Sequence, residues 1–460
     1  MSCTKVDRTT QYETEKSVRT ALEAMQKLQK NGGWAMAWTT DGSATFGEWL
    51  LRKDDIITIQ PPGTPAIGSV FLKAFEVLED SSYLQTAIQA GDALLQGQFS
   101  HGGFPQEFYP GRFSQDTSWF QHYDSSGGAW FPPNIEGADI YINENGSGTF
   151  DDRTTQSAAL FLLDLGQKTD LSRFKDAARK AAKFMLDAQY PNGGWPQKYP
   201  LQENYTRFIT LNDAAMPSVM STLFTFSEVL GDSTYYEAGI RGAYYLLDIQ
   251  KKHKETGWAQ QYTLDGEPVG ARPWEPAALS AAETVDVTDF LIEVYIATGD
   301  KKYLKSGMAA IEWLNEIRLP NGNWARFYNP HTNQPVYMGG AGNTTSDLDE
   351  ALKYHSGYSW QGDYLDSDLM KRYEVLIEGS AEDRFKLYAT YEQKSDENLS
   401  HKIQMILSEQ KQNGLWTKQM SGETLDFYHL KFGQQKETPT IIDSQDFVDN
   451  VGLMLEFIES

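Results

Sequence analysis

Cysteine is almost missing from this chain of 460 residues. The one present, Cys3, excludes a disulfide framework and a cysteine-ligated zinc. Positive charge is scarce as well. Forty basic residues against 63 acidic ones leave a net charge of −23, which excludes nucleic acid and anionic membranes as partners, since both need a basic surface. An anionic ligand gripped by a few focused arginines stays compatible with that balance. No apolar run approaches the ~18 residues of a membrane span. Hydrophobic residues make up 40% and aromatic ones 13%, enough for a large core and too much for a disordered chain. The length suits two or three ordinary domains or one large repeat-built domain.

Residues 1–15 form a Ser/Thr-rich and charged leader in which Ser2-Cys3 resembles the start of a processed bacterial lipoprotein. The plainer alternative is an incidental thiol. The lipoprotein reading expects export in a bacterium, to the periplasm, the outer membrane or the medium.

One phrase returns six times. It is fullest in "DAQYPNGGWPQKYP" and shorter in "QKLQKNGGWAMAW", "QGQFSHGGFPQEFYP", "DIQKKHKETGWAQQY", "NEIRLPNGNWARFY" and "SEQKQNGLWTKQM", with the aromatic at Trp34, Phe104, Trp195, Trp258, Trp324 and Trp416. Each copy closes a segment of helical apolar spacing such as "FKDAARKAAKFMLDAQ", and a second such segment precedes it. Links such as "GDSTYY" and "GDKKYL" supply a Gly stop and an Asp start between the two helices. The unit is a helical hairpin closed by a Gly-Trp turn, and such units bury their apolar faces only by stacking. The first copy has only its second helix, and "DFVDNVGLMLEFIES" at the far end supplies the missing partner. The expected fold is all-α: a closed α/α toroid of about six hairpins, one domain over 16–460, with the turns on one face. An open solenoid is the alternative.

The turns' aromatics, Trp195, Trp258 and Trp324 among them, are either fillers under the loops or stacking platforms for sugar rings. Three charged segments lie ahead of helices: "GSGTFDDRTTQ" with Asp151 and Asp152, "RFITLNDAAM" with Asn212 and Asp213, and "GEPVGARPWEPAALS" with Arg272 and Glu275. Any one acid there can be a helix cap. Their recurrence in successive hairpins favours convergence, and Asp151, Asp152 and Asp213 form a reasonable oxygen-ligand set for calcium.

Four segments in order, "DAQYPNGGWPQKYP", "ITLNDAAMPSVM", "GWAQQYTLDGEPVGARPWEPAALSAAE" and "WARFYNPHTNQPVY", resemble the pectate lyases of polysaccharide-lyase family ten. The resemblance covers about residues 85–375. It implies an α/α toroid that cleaves acidic polysaccharide by β-elimination with calcium. It places calcium ligands at Asp151 and Asp213, with Asp152 where Asn is usual, the base at Arg272, and a substrate-carboxylate arginine at Arg326. Where the family reads "GRDG", with a second such arginine, this chain reads "MGGAG" and has Gly340.

The chemistry accounts for these residue types. Elimination takes the C5 proton beside the uronate carboxylate and expels the group on C4, so cations on that carboxylate favour the transition state. Arginine, with a pKa above 12, is an unusual base. Lys198, Tyr199, Tyr262 and His122 are candidates to protonate the leaving oxygen, with packing as the competing role for Lys198 and the tyrosines, and Glu275 and His122 are candidates to touch the substrate. The expected partner is an acidic polysaccharide or its oligosaccharides, bound by a monomer. Pectate and an alternating polyuronide such as ulvan are both open as substrate, and an oligosaccharide dehydratase expelling water from a terminal uronate is a close variant. An inverting glycoside hydrolase using Asp151 or Asp152 with Asp213, or a non-catalytic glycan-binding protein, are the alternatives from other classes.

Overall fold

The computed structural model describes residues 8–47, 51–52, 54–110, 146–254, 256–395, 399–422, 425, 428–429 and 437–459. Cys3 and His122 lie outside them. Helix α1 spans Arg8–Leu28, so it begins inside the stretch read as leader.

Four hairpins follow one another: α2 (Thr64–Leu78) with α3 (Ser81–Gly97), α4 (Thr154–Thr169) with α5 (Ser172–Ala188), α6 (Ala215–Leu230) with α7 (Ser233–Lys252), and α8 (Ala281–Thr298) with α9 (Lys302–Glu316). Past the short helix α10 (Leu348–Tyr354) come α11 (Ser367–Glu378), α12 (Arg384–Ser395), α13 (Leu399–Glu409) and α14 (Ser444–Glu459). Helices α14, α2, α4, α6 and α8 pack in that order as an inner row, and α1, α3, α5, α7 and α9 stand outside them. The links behave as their sequence requires. Gly231 and Gly299 end α6 and α8 in the left-handed conformation, and Asp80, Asp232 and Asp300 accept backbone N–H bonds at the start of the next helix.

The repeated turn is a clamp between neighbouring hairpins. At Gly193, φ is +100° and a Cβ would stand 2.4 Å from the Arg241 carbonyl oxygen on α7, so only glycine lets the turn reach its neighbour. The glutamine ahead of the turn completes the clamp. Gln189 Nε2 donates to Gly193 O in its own turn (3.0 Å) and to Ala238 O on α7 (2.9 Å). Gln98 does the same toward α5, and Gln250 toward α9. Gln410, after α13, donates to Gly414 O (2.8 Å) and to Ser17 O on α1 (3.1 Å).

The last of these bonds joins the two ends of the chain. Helix α14 packs on α1 as the sequence expects, with Ser17 against Met454 and Gln11 donating to Ile458 O. A five-stranded sheet repeats the junction, pairing Ala37–Thr39 with Thr440–Asp443 in the register Trp38↔Ile442. The α/α toroid is therefore the observed fold.

Candidate active site

After four of the turns the chain makes short two-residue strands and hands its hydrogen bonds to the start of the preceding inner helix. The residue two places past the aromatic recurs as Gln106, Gln197, Gln260 and Arg326. Their carbonyls accept from the N–H groups of Ile59, Phe150, Leu211 and Ala281 respectively, at 2.7 to 2.9 Å. This rung brings residues far apart in sequence to one face of the ring.

Two leaders carry the acids. Asp151–Arg153 and Asn212–Ala214 are matching 3-10 turns ahead of α4 and α6, and they pack against each other. Each holds two consecutive non-glycine residues at positive φ: Asp152 (49°) with Arg153 (60°), and Asp213 (52°) with Ala214 (54°). Left-handed backbone costs L-residues roughly 1–2 kcal/mol each, and such strain clusters at functional sites. Neither α4 nor α6 has a side-chain cap, so the capping role weighed for these aspartates is not what they do here.

The carboxylates of Asp151, Asp152 and Asp213 offer oxygens that all lie within 4.8 Å of one another. Oxygen ligands about 2.3–2.6 Å from a calcium ion and opposite each other stand at about that separation. Asp151 Oδ1 is buried and has no hydrogen-bond partner. Asp213 reaches water but is closely surrounded by protein, and its carboxyl is pushed up to about 7, first by desolvation and then by Asp151 and Glu283, with Arg272 and Arg326 opposing. An all-oxygen, over-charged cluster with an orphaned oxygen fits a hard cation such as calcium.

Arg272 stands over this cluster. Its Nη2 is 3.3 Å from Asp151 Oδ2, its Nη1 is 2.8 Å from Glu275 Oε1, and its backbone N–H donates to Glu275 Oε2 at 2.9 Å. Burial works to lower the Arg272 pKa, but Glu275 and Asp151 outweigh it and hold the guanidinium firmly charged. Glu275, expected to touch substrate, is 5% exposed and holds Arg272 instead. The Tyr205 ring lies 5.7 Å from the same guanidinium.

Arg326 comes from the neighbouring hairpin. Its guanidinium lies 5.1 Å from the Tyr358 ring centre, and Nη2 donates to Glu283 Oε1 at 3.1 Å. Its Nε is buried without a partner. Lys198 is half-buried on the strand paired with Gly148–Thr149, register Thr149↔Lys198, just ahead of Asp151.

Other expected residues lie elsewhere. Trp195 and Trp258 are wholly buried and Trp324 is 1% exposed. Their indole N–H groups donate to Met185 O, Leu246 O and Leu314 O in the preceding outer helix. They are pegs under the turns, with no face open to a sugar. Tyr262 is also wholly buried, and its hydroxyl accepts the Ala259 N–H at 2.6 Å, so it is not placed to protonate a leaving group. At Gly340 a Cβ would meet the Tyr354 ring at 2.6 Å, so the space beside it is filled. Sequence reasoning missed Glu283, Gln260, Tyr205 and Tyr358. The recurring place two residues past the aromatic, Gln in three hairpins and Arg in one, was the available signal for Gln260. A cavity of about 450 Å³ between α2, α4 and α6 is lined by none of these residues.

The family model described as pectic acid lyase matches residues 129–323, which hold both aspartate leaders, Arg272 and Glu275. A family 10 polysaccharide lyase from Cellvibrio cellulosa is 25% identical, covering 65% of this chain and 93% of that one, with a TM-score of 0.48. A D-mannose isomerase covers 100% of this chain and 99% of its own at 11% identity and a TM-score of 0.52. A family 76 glycoside hydrolase from a bovine Bacteroides thetaiotaomicron strain covers 97% of this chain and 78% of its own at 10% identity and a TM-score of 0.50. These last two likenesses bear on the toroid alone. No curated protein matches the chain. The chain is pectate-lyase-like over its central hairpins and divergent in sequence.

Proposed function

We propose that this protein is a carbon–oxygen lyase that cleaves uronic acid residues of an anionic polysaccharide, or of its oligosaccharides, by β-elimination. The observation that carries the reading is the meeting of Asp151, Asp152 and Asp213 with Arg272 inside the segment that matches pectic acid lyase.

In the proposed reaction, the C5 proton leaves first, a C4=C5 double bond forms, and the C4–O bond breaks with a proton delivered to the departing oxygen. Asp151, Asp152 and Asp213 would hold calcium, which supplies a positive charge for the uronate carboxylate as the carbanion develops. Arg326, aimed by Glu283 and with part of its side chain still exposed, binds the same class of carboxylate. Arg272 is the residue aimed at C5. Sharing Asp151 between a cation and Arg272 loosens one of the guanidinium's two counter-charges, which is the direction a base requires. Lys198 is the candidate acid for the leaving oxygen. Export of the protein follows from a polymeric substrate outside the cell; no described helix is long and apolar enough to cross a membrane.

Tyr354 fills the place of a second carboxylate-binding arginine at Gly340. That supports a substrate with fewer carboxylates than pectate, an alternating polyuronide such as ulvan or a chain with one terminal uronate. The test is a screen of purified protein on pectate, ulvan and other polyuronides, followed by ultraviolet absorbance with and without chelator. Appearance of an unsaturated uronate, lost in chelator, is expected. New reducing ends without absorbance would replace the lyase with a hydrolase, and saturable binding without products would leave a glycan-binding protein. Release of water without chain cleavage would make it a dehydratase.

A further inference from the structure

Glu283 closes one of the quoted family-like segments and has no part in the proposed chemistry, yet it sits where two hairpins meet, α6–α7 and α8–α9. It lies in the first turn of α8 and its side chain is 2% exposed. Its Oε1 accepts from Arg326 Nη2 at 3.1 Å and from Gln260 Nε2 at 2.9 Å, and Ser280 Oγ donates to Oε2. Gln260 spends its other amide hydrogen on Asn212 Oδ1 at 2.6 Å, and Asn212 Nδ2 donates to Asp213 Oδ2. The Gln260 carbonyl also accepts from the Leu211 and Asn212 backbone N–H groups at 2.8 and 3.1 Å, so the aspartate leader is held twice from the same residue.

The order of donors and acceptors along this chain is forced. Asn212 must accept on one side and donate on the other, which an amide does and a carboxylate does not. That accounts for Asn at 212 where the matching position of the neighbouring leader is Asp151. Gln260, in turn, must donate twice, toward Glu283 and toward Asn212. A buried carboxylate that served only to neutralise Arg326 would need no such extension, and a lone buried ion pair gives little net stability.

We propose that Glu283 is the positioning residue of the site: it fixes Arg326 directly, and Asp213 through Gln260 and Asn212, so that the substrate-binding guanidinium and the acidic cluster keep one set separation. The inference rests on the reading of that cluster as a cation site and of Arg326 as a uronate-binding group. Its consequence is that the two anchor points for one carboxylate are built as a single unit spanning α6 and α8.

The test uses the full-length protein and two variants that keep side-chain volume. Gln260→Met cuts both amide bonds while sparing the Arg326–Glu283 pair. Calcium alone, titrated by calorimetry, should bind this variant about tenfold to a hundredfold more weakly, the usual effect of losing an outer support of a metal ligand. Its KM for the polyuronide measured at saturating calcium should stay within about twofold of wild type, since Arg326 is untouched. Glu283→Gln removes the charge that aims Arg326 and should raise KM about tenfold or more with a smaller change in kcat. Normal calcium affinity in Gln260→Met, or an unchanged KM in Glu283→Gln, with only the melting temperature lowered, would reduce the network to packing and overturn the proposal. A wild type that eliminates on no polyuronide sinks the lyase reading by itself, and the calcium titration still decides the linkage to Asp213. A wild type that binds no calcium yet forms unsaturated product overturns the linkage and leaves the lyase reading standing.

Discussion

Arg272 Nη2 lies 3.3 Å from Asp151 Oδ2, a contact between residues 121 apart in sequence. It ties the aspartate leader of α4 to the loop ahead of α8, two hairpins on. Because Glu275 takes the other edge of the guanidinium at 2.8 Å, the planar fork is held at two points. Arg272→Lys keeps the charge but meets only one of them. We expect kcat to fall about 100- to 1,000-fold, the range seen when one preorganised donor is lost, with substrate still bound. Steady-state kinetics beside binding of an unreactive oligosaccharide separates the two effects. Turnover within a few-fold of wild type would remove Arg272 from the chemistry.

Asp151→Ala and Asp213→Ala should each lower activity by more than about a hundredfold, beyond the usual effect of outer-support changes around a metal. Neither side chain caps a helix, so the fold should survive. Calcium should raise the melting temperature of wild type by mass action and leave both variants unchanged. A calcium-dependent shift retained in either variant would take that aspartate out of the cation site.

Trp195 separates packing from sugar stacking. Its wholly buried ring and its bond to Met185 O predict that Trp195→Ala costs about 3–5 kcal/mol of stability. Trp195→Phe keeps most of the volume and strands the Met185 carbonyl, costing about 1–3 kcal/mol. Denaturant unfolding should show both losses. KM of the folded fraction should not move, and a large rise in KM for Trp195→Phe would restore the stacking role.

Asp286, in α8, has its carboxyl pushed up to about 6, by desolvation first and then by Glu283 and Asp289, with Arg153 and Arg326 pulling it down. A carboxyl raised above its unfolded value binds more protons in the folded state between the two pKa values. The folded state therefore loses stability as pH rises from about 4 through 6. Asp286→Asn should raise the melting temperature at pH 8 and change it little at pH 4. Melting curves across that range check the sign, and a loss of stability at pH 8 would show that the charge is favourable where it sits.

The helical hairpins, their glycine stops and aspartate starts, and the pairing of the two chain ends were legible because each rests on local periodicity or capping. The approach of Asp151, Asp213 and Arg272 was expected from charged segments recurring ahead of successive helices, with the family resemblance adding only the roles proposed for them. The function of the tryptophans was not, since sequence shows an aromatic beside a turn but not which way its ring points. Tyr262 misled for the same reason. Glu283 and Gln260 stayed hidden because their importance lies in bonds to Arg326, to Asn212 and to each other, across stretches of 23 to 48 residues and between two hairpins. Glu275 was read as a substrate contact, and only the folded backbone shows that it turns back onto Arg272.

Gln410 makes to Ser17 the bond that Gln189 makes to Ala238, and this has a topological meaning. The clamp between Gln410 and α1 is the same as the clamp across an unbroken turn, so this junction is built like those of Gln98, Gln189 and Gln250. The order in which the hairpins are strung on the chain is then a matter of synthesis, not of architecture. A peptide joining the end of α14 to the start of α1, with a new opening at any turn distant from the aspartate leaders, would describe the same closed object.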